Sequence, residues 1–340
     1  MISPSEFRVV APTRLHFGLL AIGEGAGASG GAGAMLSEPS LVLHVRPSDR
    51  FAALGLHADR IAAFAGRWAA GREEGLPSIE IRGESAPDQH VGLGLGTQLA
   101  LATALALDQV TGREEADPQT LASLVGRGGR SGIGVRGFFL GGFLAEDEKR
   151  DGDSLAPLRR RLSFPERWRF VLVRQAGEAG AHGACEDRFF RALPPTPREV
   201  TDRMRRRLFD ELVPAVEAGD FEAFAESAYQ FGRASGELFR GAQAGTYASE
   251  FAERLVATLR TRGVRGIGQS SWGPTLWVAA PDPEAAESLA ADLRSEQESA
   301  NVDVTIGVPS SSGVRIDPTP DLPPLQDRPD EALSGMRESA

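Results

Sequence analysis

Residues 90–98, His-Val-Gly-Leu-Gly-Leu-Gly-Thr-Gln, place a glycine at every second position directly before a helix-forming run at 99–107. A loop without side chains that leads into a helix leaves backbone N–H groups unpaired, and the helix dipole adds about half a positive charge there. Such a helix start binds phosphate or pyrophosphate. Alternating glycines also occur in tight turns and at close packing, so both interpretations stay open on this segment alone.

Length and composition restrict the class of protein. With 340 residues, 41% of them hydrophobic and 25% charged, the chain is globular in composition and is expected to form two domains. No apolar run approaches the ~20 residues of a membrane span. A net charge of −10 argues against nucleic acid or an anionic membrane as a partner. The N-terminus shows no secretory signal and Cys185 is the lone cysteine, so we expect a cytoplasmic protein without an internal disulfide.

Lysine chemistry is not expected. Arginine supplies 36 of the 37 basic residues, and the single lysine, Lys149, lies in a polar stretch at 146–153 that is typical of an exposed hairpin tip. A lysine that forms an imine needs a desolvated pocket that lowers its pKa. Pyridoxal phosphate is therefore not predicted as a cofactor.

Hydrophobic periodicity predicts strands and helices along most of the chain. The predicted strands are 7–12, 14–20, 41–46, 51–56, 79–82, 169–174, 275–279 and 302–308, and the predicted helices are 58–72, 97–111, 118–127, 198–218, 221–240, 247–262 and 283–299. The glycine-rich segment 131–146 is predicted as a pair of strands. The Gly/Ala/Ser segment 23–33 is interpreted as either a lid over a site or a hairpin loop.

Two further glycine-rich elements carry polar side chains. Residues 266–277 combine hydrogen-bonding side chains and a tryptophan with the start of a strand. This composition suits a loop that approaches a ligand through its backbone, or a hairpin turn. Residues 126–137 hold three arginines among glycines, which suits either bidentate binding of phosphate and carboxylate or a solvated basic loop.

Together these motifs resemble the GHMP superfamily of galactokinase-, homoserine kinase- and mevalonate kinase-like proteins. They occur in the order Arg14-Leu-His-Phe-Gly18, Gly92-Leu-Gly-Leu-Gly-Thr97 and Gly266-Ile-Gly-Gln-Ser-Ser-Trp-Gly-Pro-Thr275. The resemblance implies an α+β, GHMP-type two-domain fold. A ribosomal protein S5-like domain is expected at 1–165 and a ferredoxin-like domain at 166–316, with the site in the cleft between them. The Pro-, Asp- and Ser-rich residues 317–340 are expected to be a disordered tail.

One departure from the kinase pattern changes the predicted chemistry. The kinases carry a catalytic aspartate in a Ser-Gly-x-Asp stretch, where this chain has Ser131-Gly-Ile-Gly134. A carboxylate there orients or deprotonates the accepting alcohol, so its replacement by glycine argues against a small-molecule kinase.

The detailed pattern, which also includes Phe239-Arg-Gly-Ala-Gln-Ala-Gly-Thr-Tyr247, resembles the family of β-ribofuranosylaminobenzene 5′-phosphate synthases, a non-kinase branch of that superfamily. This resemblance implies condensation of 5-phosphoribosyl 1-diphosphate with 4-aminobenzoate or 4-hydroxybenzoate, with loss of CO₂ and pyrophosphate. In that family the reaction is the first committed step of methanopterin biosynthesis. An ATP-dependent kinase with a relocated base and a non-catalytic sensor of a phosphorylated ligand are the alternatives.

The candidate site residues follow from the motifs and this chemistry. The predicted catalytic residues are Arg14, His16 and Arg130. The predicted phosphate and pyrophosphate ligands are Gly92, Gly94, Gly96, Thr97, Gln98 and Arg136. The predicted cleft residues are Ser131, Gln243, Tyr247, Gln269, Ser270, Ser271 and Trp272.

Two of these expectations have more than one interpretation. His16 is interpreted as an acid or hydrogen-bond donor near the leaving group, or as a structural histidine at a strand end. Mg²⁺ is expected to be held mainly through the pyrophosphate, and the sequence does not identify its protein ligands. A homodimer is an expectation from the resemblance.

Overall fold

The computed structural model describes residues 6–22, 30–113, 117–127, 131–149, 152–180, 188, 193–241, 243, 245–296 and 301–318. The strands are β1 Phe7–Leu19, β2 Gly31–Pro47, β3 Ala52–Gly55, β4 Ile79–Ser85, β5 Phe143–Glu146, β6 Leu158–Leu162, β7 Arg169–Gln175, β8 Ile267–Gln269, β9 Leu276–Ala280, β10 Val302–Pro309 and β11 Arg315–Pro318. The helices are α1 Ala58–Arg72, α2 Leu95–Val110, α3 Pro118–Leu124, α4 Ile133–Leu140, α5 Arg198–Arg206, α6 Val213–Ala218, α7 Phe221–Glu237, α8 Glu250–Thr261 and α9 Pro283–Glu296. A π-helical segment, Arg207–Leu212, joins α5 to α6. None of the described helices is long and apolar enough to cross a membrane.

The described strands form one continuous sheet, whose main path runs β11-β1-β2-β10-β7-β9-β8. The long antiparallel pair of β1 and β2 is the centre of the first half of the chain. Helix α1 buries a stripe that includes Phe64 and Trp68, and α2 is buried along almost its whole length. These two helices pack over β1, β2 and β4 in one hydrophobic core. The start of α2 is therefore fixed at one end of that core.

The second half of the chain contributes β7, β8, β9 and β10, which pair antiparallel. A separate core lies between these strands and helices α8 and α9. An aromatic cluster joins the halves: the ring of Phe17 on β1 lies 5.0 Å from that of Trp277 and 6.0 Å from that of Phe224. Because Phe17 follows His16 directly, this packing fixes the end of β1 at the junction of the two halves.

The predicted pair of strands at 131–146 is wrong, since this segment forms α4 followed by β5. Gly137 is needed for close packing rather than for a hairpin, because a Cβ there would lie 2.2 Å from the sulfur of Met35. The helix starts where Gly132 N–H donates to the carboxylate of Glu146 at 3.0 Å. A contact with a residue at the far end of the segment therefore replaces the side-chain cap that a sequence pattern would show.

The termini of the predicted segments differ from the structure in two places. Strand β2 begins at Gly31, so the end of the predicted lid is strand, and its residues 23–29 lie outside the described residues. Strand β11, at the predicted boundary near 316, returns to pair with β1 in the first half. The division at 165 and 316 stays a prediction. Of the predicted tail, residues 319–340 lie outside the described part of the chain.

Candidate functional site

The glycine loop, residues 90–96, opens directly into α2. Gly92 and Gly94 have φ angles of 92° and 73°, in the left-handed region that glycine adopts without strain. A Cβ at Gly92 would lie 2.3 Å from the carbonyl oxygen of Ser270, so glycine is also required there by close approach. Gly94 is the N-cap residue, and it provides no side-chain hydrogen bond to the helix.

The first turn of α2 has a clear division of its backbone donors. The N–H groups of Thr97 and Gln98 both donate to the carbonyl of Gly94, at 3.0 and 3.2 Å. Within the described residues, no acceptor contacts the N–H of Leu95 or Gly96, and the first turn holds no acidic residue. Two donors and the positive end of the helix dipole therefore remain for a ligand.

A cavity of about 790 Å³ lies over this helix start, at the junction of the two halves. Its wall is built from the end of β1, the glycine loop, the C-terminal part of α7 and the loop after β8. Of the predicted residues in the described part of the chain, those that line it are Arg14, His16, Gly92, Gly94, Gly96, Thr97, Ser131, Gln243, Tyr247, Gln269, Ser271 and Trp272. Elements distant in sequence thus meet at one site, as the motifs predict.

Ser270 holds three of these elements together rather than facing the cavity. Its hydroxyl is buried, donates to the carbonyl of Gly92 at 2.9 Å and accepts from the backbone N–H of His16 at 3.0 Å. In the same loop, a Cβ at Gly273 would lie 2.3 Å from the backbone of Val91. The glycine loop, β1 and the loop after β8 are therefore in direct backbone contact, and Ser270 is a positioning residue.

His16 lies in the wall of the cavity with 4% of its surface exposed. Burial, and then the neighbouring charge of Arg14, lower the pKa of His16 well below its usual value of 6.5. The imidazole is therefore neutral at physiological pH. A neutral imidazole keeps one N–H donor but has no extra proton to give. His16 therefore suits a hydrogen bond to a ligand better than the role of an acid.

Arginines surround the start of α2. The Nη2 of Arg14 donates to the carbonyl of Gly92 at 3.4 Å, and a Cβ at Gly94 would lie 3.2 Å from the Nε of Arg14. Arg60 and Arg127, which were not predicted as site residues, also line the cavity. This end of the cavity is thus cationic, as a site for phosphate groups requires.

Another part of the cavity wall is aromatic. The rings of Phe239 and Trp272 meet edge to face, with centroids 4.7 Å apart at 70°. We call this pair the aromatic end. Its surface suits the flat ring of an aryl substrate, because aromatic rings pack favourably both edge to face and offset-stacked.

Three polar residues lie near the aromatic end, and two of them hydrogen-bond within their own loops. The Gln243 amide donates to three backbone carbonyls, the shortest of these bonds being 2.8 Å to Thr246. Gln269 accepts from the N–H of Ala248 at 2.7 Å and donates to the carbonyl of Ser271 at 2.9 Å. The hydroxyl of Tyr247 is buried from solvent, and burial raises the pKa of this phenol above its usual value. Gln243 and Gln269 therefore shape the wall, whereas the Tyr247 hydroxyl has no hydrogen-bond partner among the described residues.

Two predicted phosphate ligands do not line the cavity. Gln98 is fully buried and donates to the carbonyl of Gly134 at 2.9 Å, which ties α2 to α4. Arg136 donates to Glu146 at 2.8 Å and to the carbonyl of Ala156. The buried Glu146 carboxylate needs a cation beside it, and this requirement explains why Arg136 faces away from the cavity. Arg130 lies outside the described residues, so its catalytic role stays a prediction.

The residues that sequence reasoning missed had weak signals. Arg60 lies on α1, next to the buried stripe of that helix, and a charged residue in such a position is typical of a solvated helix face. Arg127 belongs to the glycine- and arginine-rich element, in which the predicted site residues are Arg130 and Arg136. Phe239 is the first residue of one of the motifs that carry the resemblance, and that motif is the signal for its position in the wall.

Curated relatives carry one name. The beta-ribofuranosylphenol 5′-phosphate synthase of Methanothermobacter thermautotrophicus is 30% identical over 298 residues, which cover 80% of this chain and 88% of that protein. The protein of the same name from Archaeoglobus fulgidus is 30% identical over 242 residues, which cover 65% of this chain and 73% of the relative. No family model matches the chain.

Solved structures share the fold. The homoserine kinase of Cytophaga hutchinsonii matches with a TM-score of 0.65 at 16% identity, over 93% of this chain and 98% of that one. The mevalonate-3-kinase of Thermoplasma acidophilum matches with a TM-score of 0.64 at 11% identity, over 92% of this chain and 98% of that one. At such identities the likeness shows the fold alone, and it confirms the predicted α+β fold of the GHMP type.

The relatives decide between the synthase and kinase branches of that fold. The Methanothermobacter protein reaches 30% identity along 88% of its own length, a coverage that extends across both halves of the molecule. The glycine at 134, where the kinases have their aspartate, agrees with this assignment. The chain belongs to the family of beta-ribofuranosylphenol 5′-phosphate synthases.

Proposed function

We propose that this chain joins 5-phosphoribosyl 1-diphosphate to 4-hydroxybenzoate and releases CO₂ and pyrophosphate. The relatives' name specifies a ribofuranosylphenol product, and 4-hydroxybenzoate is the acceptor that leaves a phenol once its carboxylate departs. The observation that carries the proposal is the cavity itself, with an uncapped helix start among arginines at one end and an aromatic pair at the other. We place the reaction in methanopterin biosynthesis, in the cytoplasm.

The helix start suits the leaving group. When the bond between C1 of the ribose and the diphosphate breaks, its electron pair goes to the diphosphate, whose negative charge increases. The N–H groups of Leu95 and Gly96, with the Arg14 guanidinium beside them, stand in the wall where this charge would develop. A fixed donor aimed at developing charge is typically worth about 3 kcal/mol.

The bond-forming step needs little from the protein. Loss of the diphosphate leaves an oxocarbenium-like carbon at C1, and the ring carbon that bears the carboxylate attacks it. The bond from that ring carbon to the carboxylate then breaks, CO₂ departs, and its electron pair restores the aromatic ring. This sequence requires no strong base, in agreement with glycine at position 134.

Packing does not require a glycine at position 134. A Cβ at this position would make only ordinary contacts, 3.5 Å from Thr97, 3.6 Å from Gln98 and 3.7 Å from Arg14. The fold thus has room for the first atoms of a side chain there, so steric crowding does not explain the loss of the kinase carboxylate. Among the described residues of the cavity wall, Asp88 is the only carboxylate, and it pairs with Arg174.

We propose that Mg²⁺ accompanies the diphosphate. The described residues contain no group of three or more His, Cys, Asp or Glu side chains that could hold a metal ion. One carboxylate in the wall, Asp88, fits an ion that is bound mainly by substrate oxygens. When bound there, Mg²⁺ would neutralise charge on the diphosphate, and Asp88 would hold it in exchange for its ion pair with Arg174.

The test follows CO₂ release from carboxyl-labelled 4-hydroxybenzoate, with 5-phosphoribosyl 1-diphosphate and Mg²⁺ present. We expect labelled CO₂ and pyrophosphate in equal amounts, and slower release from carboxyl-labelled 4-aminobenzoate. Arg14→Gln should reduce the rate at least about tenfold, since it removes a charged donor worth about 1.5–3 kcal/mol. Arg315→Gln is the matched control, because Arg315 is exposed, pairs with Asp317 and does not line the cavity. No release from a protein that binds both substrates contradicts the proposal and favours a sensor, whereas ADP formation from ATP and an alcohol favours a kinase.

A further inference from the structure

Two arginines converge on the far end of the glycine loop. A Cβ at Gly96 would lie 2.8 Å from the Nη2 of Arg60 and 3.4 Å from the Nη2 of Arg127. Both guanidinium groups also face the ring of Phe64, at 5.8 and 5.3 Å from its centroid. We call the pair of Arg60 and Arg127, which lies beside Gly96, the arginine subsite. It brings two cations and the first turn of α2 to one part of the cavity wall.

The charge of Arg60 is not compensated by a carboxylate. Its one hydrogen bond to a side chain is the 3.3 Å contact with Gln89, and none of the described carboxylates lies within 4.0 Å of it. Burial lowers the pKa of Arg60, although a guanidinium stays charged at physiological pH. By contrast, Arg72 on the same helix pairs with Asp108 at 2.9 Å. A half-buried cation without a counter-ion at a cavity wall is suited to an anionic ligand.

The position of Arg60 is fixed by the packing of its helix. The indole of Trp68 donates to Asp108 at 2.8 Å, and Arg72 contacts the same carboxylate, so α1 is tied to α2 by a buried polar contact. That contact joins the C-terminal ends of the two helices; near their starts, Ile61 and Phe64 of α1 are buried in the same hydrophobic core as Leu95 of α2. The arginine subsite is therefore preorganised and does not depend on a mobile loop.

The three glycines of the loop have different neighbours along the cavity. Gly92 contacts the loop that carries Trp272, since a Cβ there would lie 3.0 Å from the Cα of Gly273. Gly94 lies beside Arg14, and Gly96 lies beside Arg60 and Arg127. The order along the loop is therefore aromatic end, Arg14, arginine subsite.

We propose that the arginine subsite binds the 5-phosphate of the ribosyl substrate, a phosphate monoester. This inference rests on the proposed function. Carbon C1 must lie next to the acceptor ring, which the aromatic end holds, and the diphosphate on C1 then lies beside Arg14 and Gly94. The 5-phosphate is at the other side of the ribose, so it reaches the far end of the loop. Arg60 is a positioning residue that fixes C1 through the other end of the sugar.

The test is a titration of two probes, ribose 5-phosphate and inorganic pyrophosphate, by isothermal calorimetry in buffer with Mg²⁺. The variants are Arg60→Gln and Arg67→Gln. Arg67 is the matched control because its guanidinium lies 5.7 Å from the same Phe64 ring but does not line the cavity. Arg60→Lys keeps the positive charge, so comparison with Arg60→Gln separates loss of the charge from a folding defect. A thermal melt of each variant also measures a folding defect.

We expect Arg60→Gln to weaken ribose 5-phosphate binding about 10- to 100-fold, the effect of one charge-assisted hydrogen bond. Pyrophosphate binding in Arg60→Gln should weaken at least several-fold less, because the donors proposed for pyrophosphate are the N–H groups of Leu95 and Gly96 and the Arg14 guanidinium. Both affinities in Arg67→Gln should change by less than about threefold, as for a distant screened charge. Equal weakening of both probes by Arg60→Gln, an unchanged affinity for ribose 5-phosphate, or no binding of it by the wild-type protein overturns the subsite.

The outcome is separate from that of the proposed reaction. The expected affinities without CO₂ release would support the subsite and contradict the proposed reaction. CO₂ release by the wild-type protein, with normal binding of ribose 5-phosphate by Arg60→Gln, would support the reaction and contradict the subsite. A KM for 5-phosphoribosyl 1-diphosphate that rises in Arg60→Gln with little change in kcat gives an independent readout of positioning.

Discussion

Helices α2 and α4 both begin at glycine-rich segments near the cavity, yet only the N-terminus of α4 is bonded to a carboxylate of the protein. The start of α2 has no side-chain cap and no acidic residue in its first turn, and it faces the cavity. At α4, by contrast, the carboxylate of Glu146 accepts from the N–H of Gly132 at 3.0 Å and pairs with Arg136 at 2.8 Å. One helix start is therefore open to an external anion, whereas the other already holds an internal one.

This difference shows why a glycine-rich sequence alone does not identify an anion site. Both segments contain glycines before a helix, and the second also contains arginines. What decides the outcome is whether the fold delivers a carboxylate from elsewhere. Glu146 arrives on β5 and is fully buried, so the second segment became structural.

Removal of the Glu146 carboxylate, the internal anion at the start of α4, should have the largest effect on stability. Glu146→Ala leaves Arg136 without its buried counter-ion and leaves the start of α4 without its acceptor. At pH 8 we expect the free energy of unfolding in urea to fall by about 3–5 kcal/mol, the usual loss on breaking a buried pair. Asp317→Ala is the control: this exposed carboxylate pairs with Arg315 at 2.9 Å, and its loss should cost at most about 1 kcal/mol. Similar losses in the two variants contradict the role of Glu146.

The same carboxylate predicts a pH dependence of stability. Burial raises the pKa of Glu146 from 4.5 to about 7, although Arg136 and the N–H of Gly132 act to lower it. The folded state then binds this proton more tightly than the unfolded chain does. The resulting stabilisation is complete below pH 4.5 and is lost as the pH rises through about 7.

The pH prediction is checked with urea unfolding of the wild type and Glu146→Gln across this window. Relative to the variant, the wild-type protein should lose about 3 kcal/mol or less between pH 4.5 and pH 8, from a shift worth 1.36 kcal/mol per pKa unit. A difference that stays constant with pH, or that grows in favour of the wild type at high pH, contradicts this ionisation.

A carboxylate introduced into the first turn of α2 should occupy the site that is otherwise available to the substrate's phosphate groups. Gly96→Asp places a carboxylate in the first turn of α2, beside Arg60 and Arg127. An acidic residue there favours the helix by about 0.3–1 kcal/mol, so the melting temperature should hold or rise. The KM for 5-phosphoribosyl 1-diphosphate should rise about a hundredfold, equivalent to two lost charge-assisted hydrogen bonds. Gly96→Ala, which adds only a methyl group near Arg60, should raise KM much less, and equal effects of the two variants would contradict a charge mechanism.

The smallest expected effect is at Ser131, which lines the cavity but belongs to the start of α4. Its hydroxyl donates to Glu146 at 3.3 Å and accepts from the N–H of Ile133 at 3.2 Å. Ser131→Ala should lower the free energy of unfolding by about 0.5–1.5 kcal/mol, the net value of one hydrogen bond. Steady-state kinetics should show an unchanged KM. A raised KM with unchanged stability would place Ser131 in the substrate site, as the sequence predicts.

Local patterns predicted much of the fold and the centre of the site. Helix α1 has the predicted bounds because Ile61, Phe64, Ala65 and Trp68 form one apolar stripe, and α2 follows its glycine loop as expected. The glycines of that loop could be assigned because their positive φ angles and close contacts are local requirements.

The remaining residues depend on contacts that no local pattern contains. From the sequence, Arg136 and Gln98 both resemble phosphate ligands. In the structure, Arg136 is bonded to Glu146 and Gln98 to the carbonyl of Gly134. Arg60 resembles a surface residue until α1 is placed against α2. In each case the decisive partner is brought near by tertiary packing, and burial selects which charges face the cavity.

A crystal structure of the protein with pyrophosphate and Mg²⁺ is the decisive test of whether the open start of α2 binds the leaving group. We expect pyrophosphate oxygens 2.7–3.1 Å from the N–H groups of Leu95 and Gly96, the usual range for such donors, and no anion other than Glu146 at the start of α4. Pyrophosphate bound away from the start of α2, or displacing Glu146 from Gly132, would contradict it.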